Sequence, residues 1–110
     1  MKLEKWQSQI RKGTLEFIIL LVLNKREYYG YELIKQIRDT LDMETSEGTI
    51  YPILTRLKKA ALVTSRWEHQ DSGMPRKYYQ ITPKGATTLR DMQSEWVHFT
   101  GSIQKLLETK

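Results

Sequence analysis

Apolar residues recur at helical spacing near the start of the chain, and they predict a helix from about Glu4 to Asn24. Trp6 and Ile10 lie one turn apart, and the segment ends in an unbroken apolar run from Phe17 to Leu23. Such a run also suits a buried strand. The length of the segment and the Trp6–Ile10 spacing favour a helix that is buried on most sides.

Two short amphipathic helices are predicted next. The apolar face of the second helix comprises Leu33, Ile34, Ile37 and Leu41. Ser46 is the expected N-cap of the third helix, whose apolar positions are Ile50, Ile53, Leu54, Leu57 and Ala61. Residues 42–45 between them are polar apart from Met43 and are expected to form a tight turn. Two short helices joined in this way, the second with polar side chains outward, are typical of a helix-turn-helix.

Pro52 interrupts the third predicted helix and leaves two alternatives for its start. Inside a helix, proline removes one backbone hydrogen bond and crowds the carbonyl four residues earlier, which here belongs to Gly48. Either the first turn distorts at Gly48, or the regular helix starts at Tyr51 with Pro52 as its first position. The pattern by itself favours neither.

A change to β-branched and aromatic residues after residue 62 predicts a β-hairpin. Its strands are expected at residues 63–69 and 77–81, on either side of the turn-forming stretch 71–75. Thr82 is then the expected N-cap, and Pro83 the first residue, of a final helix.

The final helix is predicted from Pro83 to about Glu108 and carries a narrow apolar seam. The seam residues, spaced 3, 4, 3, 4 and 3 apart, are Leu89, Met92, Trp96, Phe99, Ile103 and Leu106. This spacing is typical of helices that pair with another helix. The helix would be roughly 39 Å long, too long for burial on so small a domain. Dimerisation is therefore favoured over the alternative that the seam folds back on the first helix of the same chain.

Together these elements predict a mainly α (α+β) fold. It is a winged helix-turn-helix with a two-stranded wing and a long C-terminal dimerisation helix. Residues 1–82 are expected to form the DNA-binding domain and residues 83–110 the dimerisation helix.

Positive charge is concentrated in the second half of the chain. The 110 residues carry a formal net charge of +5. Residues 56–90 contain eight basic residues against two acidic ones, which gives this segment +6 and the remainder −1. Concentrated charge on a small domain points to a polyanionic partner, double-stranded DNA before a membrane. The alternative is a solvated basic face with no partner.

The composition disfavours most catalytic and metal chemistry. The chain has no cysteine, its two histidines are far apart in sequence, and no P-loop or Ser-His-Asp set is visible. We therefore predict no enzymatic activity, no metal site and no cofactor. The longest apolar run is too short to span a bilayer as a helix, which takes about 20 residues, so no membrane association and a cytoplasmic location are expected.

Four sequence blocks carry a family resemblance that covers most of the first 85 residues. They are Arg11–Glu16 (RKGTLE), Tyr29–Glu32 (YGYE), Gly48–Leu57 (GTIYPILTRL) and Pro75–Gly85 (PRKYYQITPKG). In this order and spacing they resemble the PadR family of bacterial transcriptional regulators. The short chain is similar to the smaller subgroup, whose members include multidrug-responsive repressors. Met74 stands where many members have arginine, which implies one fewer phosphate contact at the hairpin tip.

The expected DNA contacts follow from the helix-turn-helix and the hairpin. Outward side chains near the start of a recognition helix read base edges, and flanking cations hold phosphates. Thr49 can hydrogen-bond a base or contact a thymine methyl, and Arg56 can reach a phosphate or a guanine. The predicted DNA-binding residues are Tyr31, Ser46, Thr49, Tyr51, Thr55, Arg56, Arg76 and Lys77.

Trp96 is the centre of a predicted ligand pocket in the dimer. Tryptophan is too wide for tight packing on a helix seam, so two symmetric indoles are expected to hold the helices apart. The family resemblance implies that a planar ligand stacks at this place. Ile10 and Phe17 of the partner's first helix are apolar and are expected to close the walls. The predicted pocket residues are Ile10, Phe17, Gln93, Trp96, Thr100 and Ile103. In the alternative, the two indoles simply pack on each other.

The predicted function is that of a homodimeric, sequence-specific DNA-binding repressor. It would bind an inverted repeat and be relieved by a small planar aromatic or phenolic effector. One alternative, a nonspecific or RNA-binding winged-helix protein, is explained by the same charge. Another, a protein-interaction adaptor, is disfavoured by the concentrated charge and the threonine-rich helix face.

Overall fold

Four helices and three short strands make up the part of the chain that the computed structural model describes, residues 1–42 and 44–110. In chain order they are α1 (Leu3–Leu23), β1 (Tyr28–Tyr29), α2 (Gly30–Leu41), α3 (Glu47–Lys59), β2 (Val63–Glu68), β3 (Arg76–Ile81) and α4 (Pro83–Glu108). The helices α2 and α3 form the helix-turn-helix, and β2 and β3 form the wing. The predicted mainly α winged fold is confirmed.

The hydrophobic core lies where the three N-terminal helices meet the sheet and the start of α4. Its buried residues include Leu15, Ile19, Leu20, Leu23, Leu33, Ile34, Ile37, Ile50, Leu54, Leu57, Val63 and Leu89. Residues 17–23 are helical, so the alternative of a buried strand is wrong. Leu41 also departs from its prediction: it ends α2 and is exposed to solvent. Across residues 1–42 and 44–110, no helix is long and apolar enough to cross a membrane.

The wing is part of a three-stranded antiparallel sheet with the order β1-β3-β2. The hairpin pairs Val63 with Ile81 at its base and Glu68 with Arg76 near its tip. The third strand, which the sequence did not predict, pairs Tyr28 with Tyr79. A strand of two residues is too short to show an alternating pattern, and its pairing depends on a partner about 50 residues away along the chain.

The recognition helix α3 contains Pro52 in its interior. The helix is continuous from Glu47 to Lys59, so the alternative start at Tyr51 is wrong. Ser46 occupies the N-cap position, but its side chain makes no capping hydrogen bond and lies 3.2 Å from the Thr49 hydroxyl instead. Of the predicted turn 42–45, Met43 lies outside the described residues.

The C-terminal end of α3 has a left-handed residue where the sequence predicted more helix. Ala61 has a φ of 62°. The amide of Ala61 donates to the carbonyl of Lys58, and the amide of Leu62 donates to that of Leu57. This is the Schellman arrangement, in which glycine is the usual left-handed residue. The helix therefore ends two residues before Ala61.

The long helix α4 has the predicted bounds, and its first turns belong to the core. The Thr82 hydroxyl caps it by accepting a hydrogen bond from the amide of Gly85 at 2.9 Å. Leu89 is only 1% exposed, and Met92 is half-buried against the core. This corrects the predicted seam, because Leu89 is covered by its own chain and is not available to a second copy. The buried residues of α1 begin at Leu15 and those of α4 end at Leu89, so the outer halves of both helices extend past the core.

Candidate nucleic-acid interface and helix groove

The outer face of α3 carries short polar side chains. Ser46, Thr49 and Thr55 are all exposed, on the side away from the buried residues of the helix. The Thr55 hydroxyl donates to the carbonyl of Tyr51 at 3.0 Å, so its oxygen keeps its lone pairs for accepting a hydrogen bond. Small hydroxyl side chains on an exposed helix face can approach base edges closely and hydrogen-bond them.

Tyr51, predicted as a DNA contact, is half-buried and braces α3 against α2. Its ring lies so close to Gly30 that a Cβ there would be 2.3 Å from the tyrosine hydroxyl. Glycine is therefore needed at the first position of α2 to seat this ring. Burial, with a smaller contribution from the charge of Glu47, raises the pKa of Tyr51. The ring thus fixes the contact between the two helices of the helix-turn-helix.

Four predicted DNA-binding residues come together where the wing meets the start of α2. Tyr31, Tyr51, Arg76 and Lys77 line one cavity of about 330 Å³ between the start of α2, α3 and the sheet. The Arg76 guanidinium lies 4.5 Å from the centre of the Tyr29 ring, which stacks on Tyr31 with ring centres 6.5 Å apart. Tyr31 is 56% exposed. This surface, which we call the wing base because it lies where the sheet meets the start of α2, and not at the Val63–Ile81 end of the hairpin, presents two cations and a phenol side by side.

Arg56 is not part of the wing base, and its side chain forms an ion pair. Its guanidinium lies 3.0 Å from the carboxylate of Glu16 on α1. Arg66, on β2, is likewise paired with Glu27, and this hydrogen bond raises the pKa of Arg66. Part of the positive charge of residues 56–90 is therefore neutralised by carboxylates of the same chain.

An apolar groove of about 770 Å³ separates the outer halves of α1 and α4. Five of the six predicted pocket residues line it: Ile10, Phe17, Trp96, Thr100 and Ile103. Gln93 does not line it and is exposed. The rings of Phe17 and Trp96 face each other with centres 5.6 Å apart. Both walls belong to the same chain, whereas the sequence assigned Ile10 and Phe17 to a partner.

The groove is also lined by residues that were not predicted from the sequence as pocket residues. They include Trp6, Gly13, Thr14, Met92 and Phe99. The sequence contains a signal for the wall that α1 contributes. One side of this helix is marked by a spacing of 3, 4, 3 and 4 between Leu3, Trp6, Ile10, Gly13 and Phe17. The exposed part of the predicted seam begins at Trp96, which is 41% exposed, and Leu106 near its end is 76% exposed.

Comparison with known families finds a match over most of the fold. Residues 19–91 match the model of the transcriptional regulator PadR-like family. A relative from Lysinibacillus sphaericus, uncharacterized protein X, is 31% identical over 104 residues, which are 93% of this chain and 95% of that protein. The transcriptional regulator YqjI of Escherichia coli is 34% identical over 85 residues. That alignment covers 76% of this chain but only 39% of YqjI.

Solved structures with the same architecture cover nearly the whole chain. A PadR-like transcriptional regulator from Bacillus cereus superposes with a TM-score of 0.84 at 35% identity, over 93% of this chain and 99% of that one. A PadR family transcriptional regulator from Eggerthella lenta gives a TM-score of 0.83 at 33% identity, over 98% and 90% respectively. The similarity therefore includes both outer helix halves as well as the winged domain.

Proposed function

The chain belongs to the PadR-like family of transcriptional regulators, and from that premise we propose that it is a homodimeric repressor of an inverted-repeat operator, released by a small planar aromatic or phenolic ligand. Membership of the family implies a DNA-binding regulator without enzymatic activity. The repressor role, the symmetry of the operator, the dimer and the ligand are proposals. The observation that carries the DNA-binding part is the exposed polar face of α3, which lies next to the two neighbouring cations of the wing base, Arg76 and Lys77.

Base reading is assigned to the outer face of α3 and backbone binding to the wing base. Thr49, supported by Ser46 and Thr55, has the small polar side chain that a base edge in the major groove requires. Arg76, Lys77 and the Tyr31 phenol have the donors that hold a phosphate, and phosphate contacts set the register on the duplex. The close approach of Tyr51 to Gly30 supports this division, because it holds α3 at one angle to α2.

A homodimer is supported by the apolar surface that one chain leaves uncovered. Phe99 is 55% exposed and Ile103 41%, and Leu3 and Trp6 on α1 are exposed as well. Monomers in solution rarely expose contiguous apolar patches of this kind. A second copy related by a two-fold axis would cover the outer halves of both helices. Two-fold symmetry then requires an inverted repeat, with half-sites about 34–36 Å apart or a multiple of that distance.

The ligand is assigned to the groove between α1 and α4. Its aromatic walls, Phe17 and Trp96, offer ring faces for stacking, and its remaining lining is mainly apolar with few polar groups, as in many small-molecule sites. A planar aromatic compound inserted between the rings would spread the two helices. Because α4 continues into the winged domain, this movement would change the separation of the two recognition helices.

A gel-shift titration on the DNA upstream of the gene for this chain tests the proposal. A specific regulator should prefer its inverted repeat over a scrambled duplex by about 10³ or more, and planar aromatic compounds should release it. Equal affinity for the scrambled duplex or for RNA would favour the nonspecific alternative. Failure to bind any duplex even at low salt, where phosphate contacts are strongest, would favour an adaptor.

A further inference from the structure

One ion pair joins the helix that walls the groove to the helix that faces DNA. The Arg56 guanidinium of α3 donates a hydrogen bond to the Glu16 carboxylate of α1 at 3.0 Å. Among the residues that the structure describes, no other ion pair connects these two helices. Both side chains are about half exposed, so water and ions reach the pair.

Arg56 points to the same flank of α3 as the proposed base-reading residue. Positions three, four and seven apart lie on one side of a helix, and Arg56 follows Pro52 by four residues and Thr49 by seven. All three are exposed. An unpaired arginine at this place would lie beside the DNA backbone when Thr49 is in the major groove. The paired arginine brings no net positive charge there.

Glu16 is also the residue next to Phe17, whose ring faces Trp96 across the groove. A rotation or shift of α1 that moves Phe17 must move the carboxylate of Glu16 as well. The backbone that carries Glu16 is therefore part of the same turn of α1 that forms the wall of the groove.

We propose that Glu16 limits the affinity for DNA by holding Arg56 away from the phosphate backbone. The inference rests on the proposed function, in which α3 faces DNA. In this proposal Glu16 makes no contact with DNA itself. It reduces by one the number of cations that are available to phosphates.

The test is the salt dependence of operator binding by the full chain and by Glu16→Gln, which removes the charge but keeps the size and helix preference. Each phosphate contact contributes a slope of about −0.9 to log K against log salt. Glu16→Gln should bind more tightly at low salt and steepen the slope by about one contact. Between about 50 and 200 mM salt its affinity should fall roughly 3.5-fold further than that of the wild type. The preferred sequence should not change, because phosphate contacts carry no sequence information.

Two further variants separate this explanation from a general change in charge. Adding Arg56→Ala to Glu16→Gln should remove the gain and return the slope to that of the wild type. Glu4→Gln, with the same change of charge in the exposed first turn of α1, should leave the slope unchanged. Equal slopes for Glu16→Gln and the wild type would overturn the proposal, and so would a gain that survives Arg56→Ala. If the slope also ignores removal of Arg76 and Lys77, the proposed interface itself is wrong.

Discussion

Four of the basic side chains of residues 56–90 differ in the kind of partner that they have. Arg56 and Arg66 pair with carboxylates, whereas Arg76 and Lys77 lie over aromatic rings. A ring face attracts a cation without occupying its N–H donors. The cations of the wing base therefore keep both their charge and their donors for an outside anion. At the scale of single residues, the type of partner decides which cations are free to bind DNA.

Removing the wing-base cations should weaken binding to every duplex alike. In Arg76→Ala/Lys77→Ala the salt slope should fall by about two units, close to one unit for each lost phosphate contact. The measurement is an affinity series over salt with operator and scrambled duplexes. Lys105→Ala/Lys110→Ala removes the same charge in the last turn of α4 and just beyond the helix, and serves as the control. A slope unaltered by the wing-base change would contradict the assignment.

Thr49 should behave in the opposite way. Thr49→Val keeps the shape of the side chain and the methyl contact but removes the hydroxyl, so the preferred bases should change while the salt slope stays constant. Selection of bound sequences from a randomised half-site measures this. An unchanged preference would mean that α3 is not placed in the groove as proposed.

The turn at the end of α3 is clamped by the start of α4. The Thr82 hydroxyl donates to the carbonyl of Ala61 at 2.7 Å, and the Thr82 amide donates to that of Leu62 at 3.0 Å. A Cβ on Gly85 would lie 2.1 Å from the Leu62 carbonyl oxygen, so only glycine permits this approach. At the scale of elements, the end of α3 and the start of α4 are joined at this turn, so we expect a tilt of α4 to move the recognition helix.

The left-handed residue of this joint predicts a stabilising substitution. An alanine with positive φ destabilises the folded state by about 1–2 kcal/mol. Replacing it with glycine removes this strain, but the greater conformational freedom of glycine in the unfolded state offsets part of the gain. Ala61→Gly should therefore raise the free energy of unfolding by about 0.5–1 kcal/mol, measured by urea denaturation. Ala60→Gly, one residue earlier with a φ of −79°, should instead lower it. Equal effects of the two changes would show that conformation at Ala61 is not the cause.

The groove between α1 and α4 predicts which tryptophan reports a ligand. A chain that keeps only Trp96, with Trp6→Phe and Trp67→Phe, should lose fluorescence when a planar dye binds. A chain that keeps only Trp67, on the wing, should not. Trp96→Ala should weaken dye binding by roughly two- to tenfold, the value of one aromatic pair. Quenching of Trp67 alone would place the dye at the wing base instead.

At the scale of the whole molecule, a single chain measures 61 × 32 × 21 Å, with a core confined to part of its length. The outer halves of α1 and α4 contact each other around Phe17 and Trp96 but leave apolar side chains in water. The predicted seam is thus divided: its first residues belong to the core, and the later ones are exposed.

Charge on the exposed part of the seam should prevent dimerisation. Phe99→Glu/Ile103→Glu should sediment as a monomer, because a dimer would bury two carboxylates of each chain at the interface without partners. The affinity of this variant for the inverted repeat should be lower than that of the wild type. Ser94→Glu/His98→Glu places the same charges, with the same spacing, on the opposite side of α4 and should remain dimeric. A Phe99/Ile103 variant that sediments as a folded dimer would contradict the proposed interface.

Local patterns in the sequence were sufficient to place the helices and the hairpin, apart from the two ends of α3. The limits of α4 follow from Thr82, Pro83 and a heptad seam, and the wing follows from two β-prone runs around a turn. These signals act between residues that are neighbours along the chain, so spacing and capping report them directly. The exposure of Thr49 and Thr55 on α3 could be predicted for the same reason, since one face of a helix is set by its period.

Only the tertiary structure decided how those elements share their residues. The two-residue strand β1, the burial of Leu89 and the seating of Tyr51 on Gly30 all depend on elements packing together. Glu16 and Arg56 are forty residues apart in sequence, and no local pattern relates them. The sequence determines which faces are apolar or charged, but whether a given side chain meets the core, a carboxylate or solvent depends on the relative position of whole helices. That position is set by packing across the molecule, which spacing along the chain does not encode.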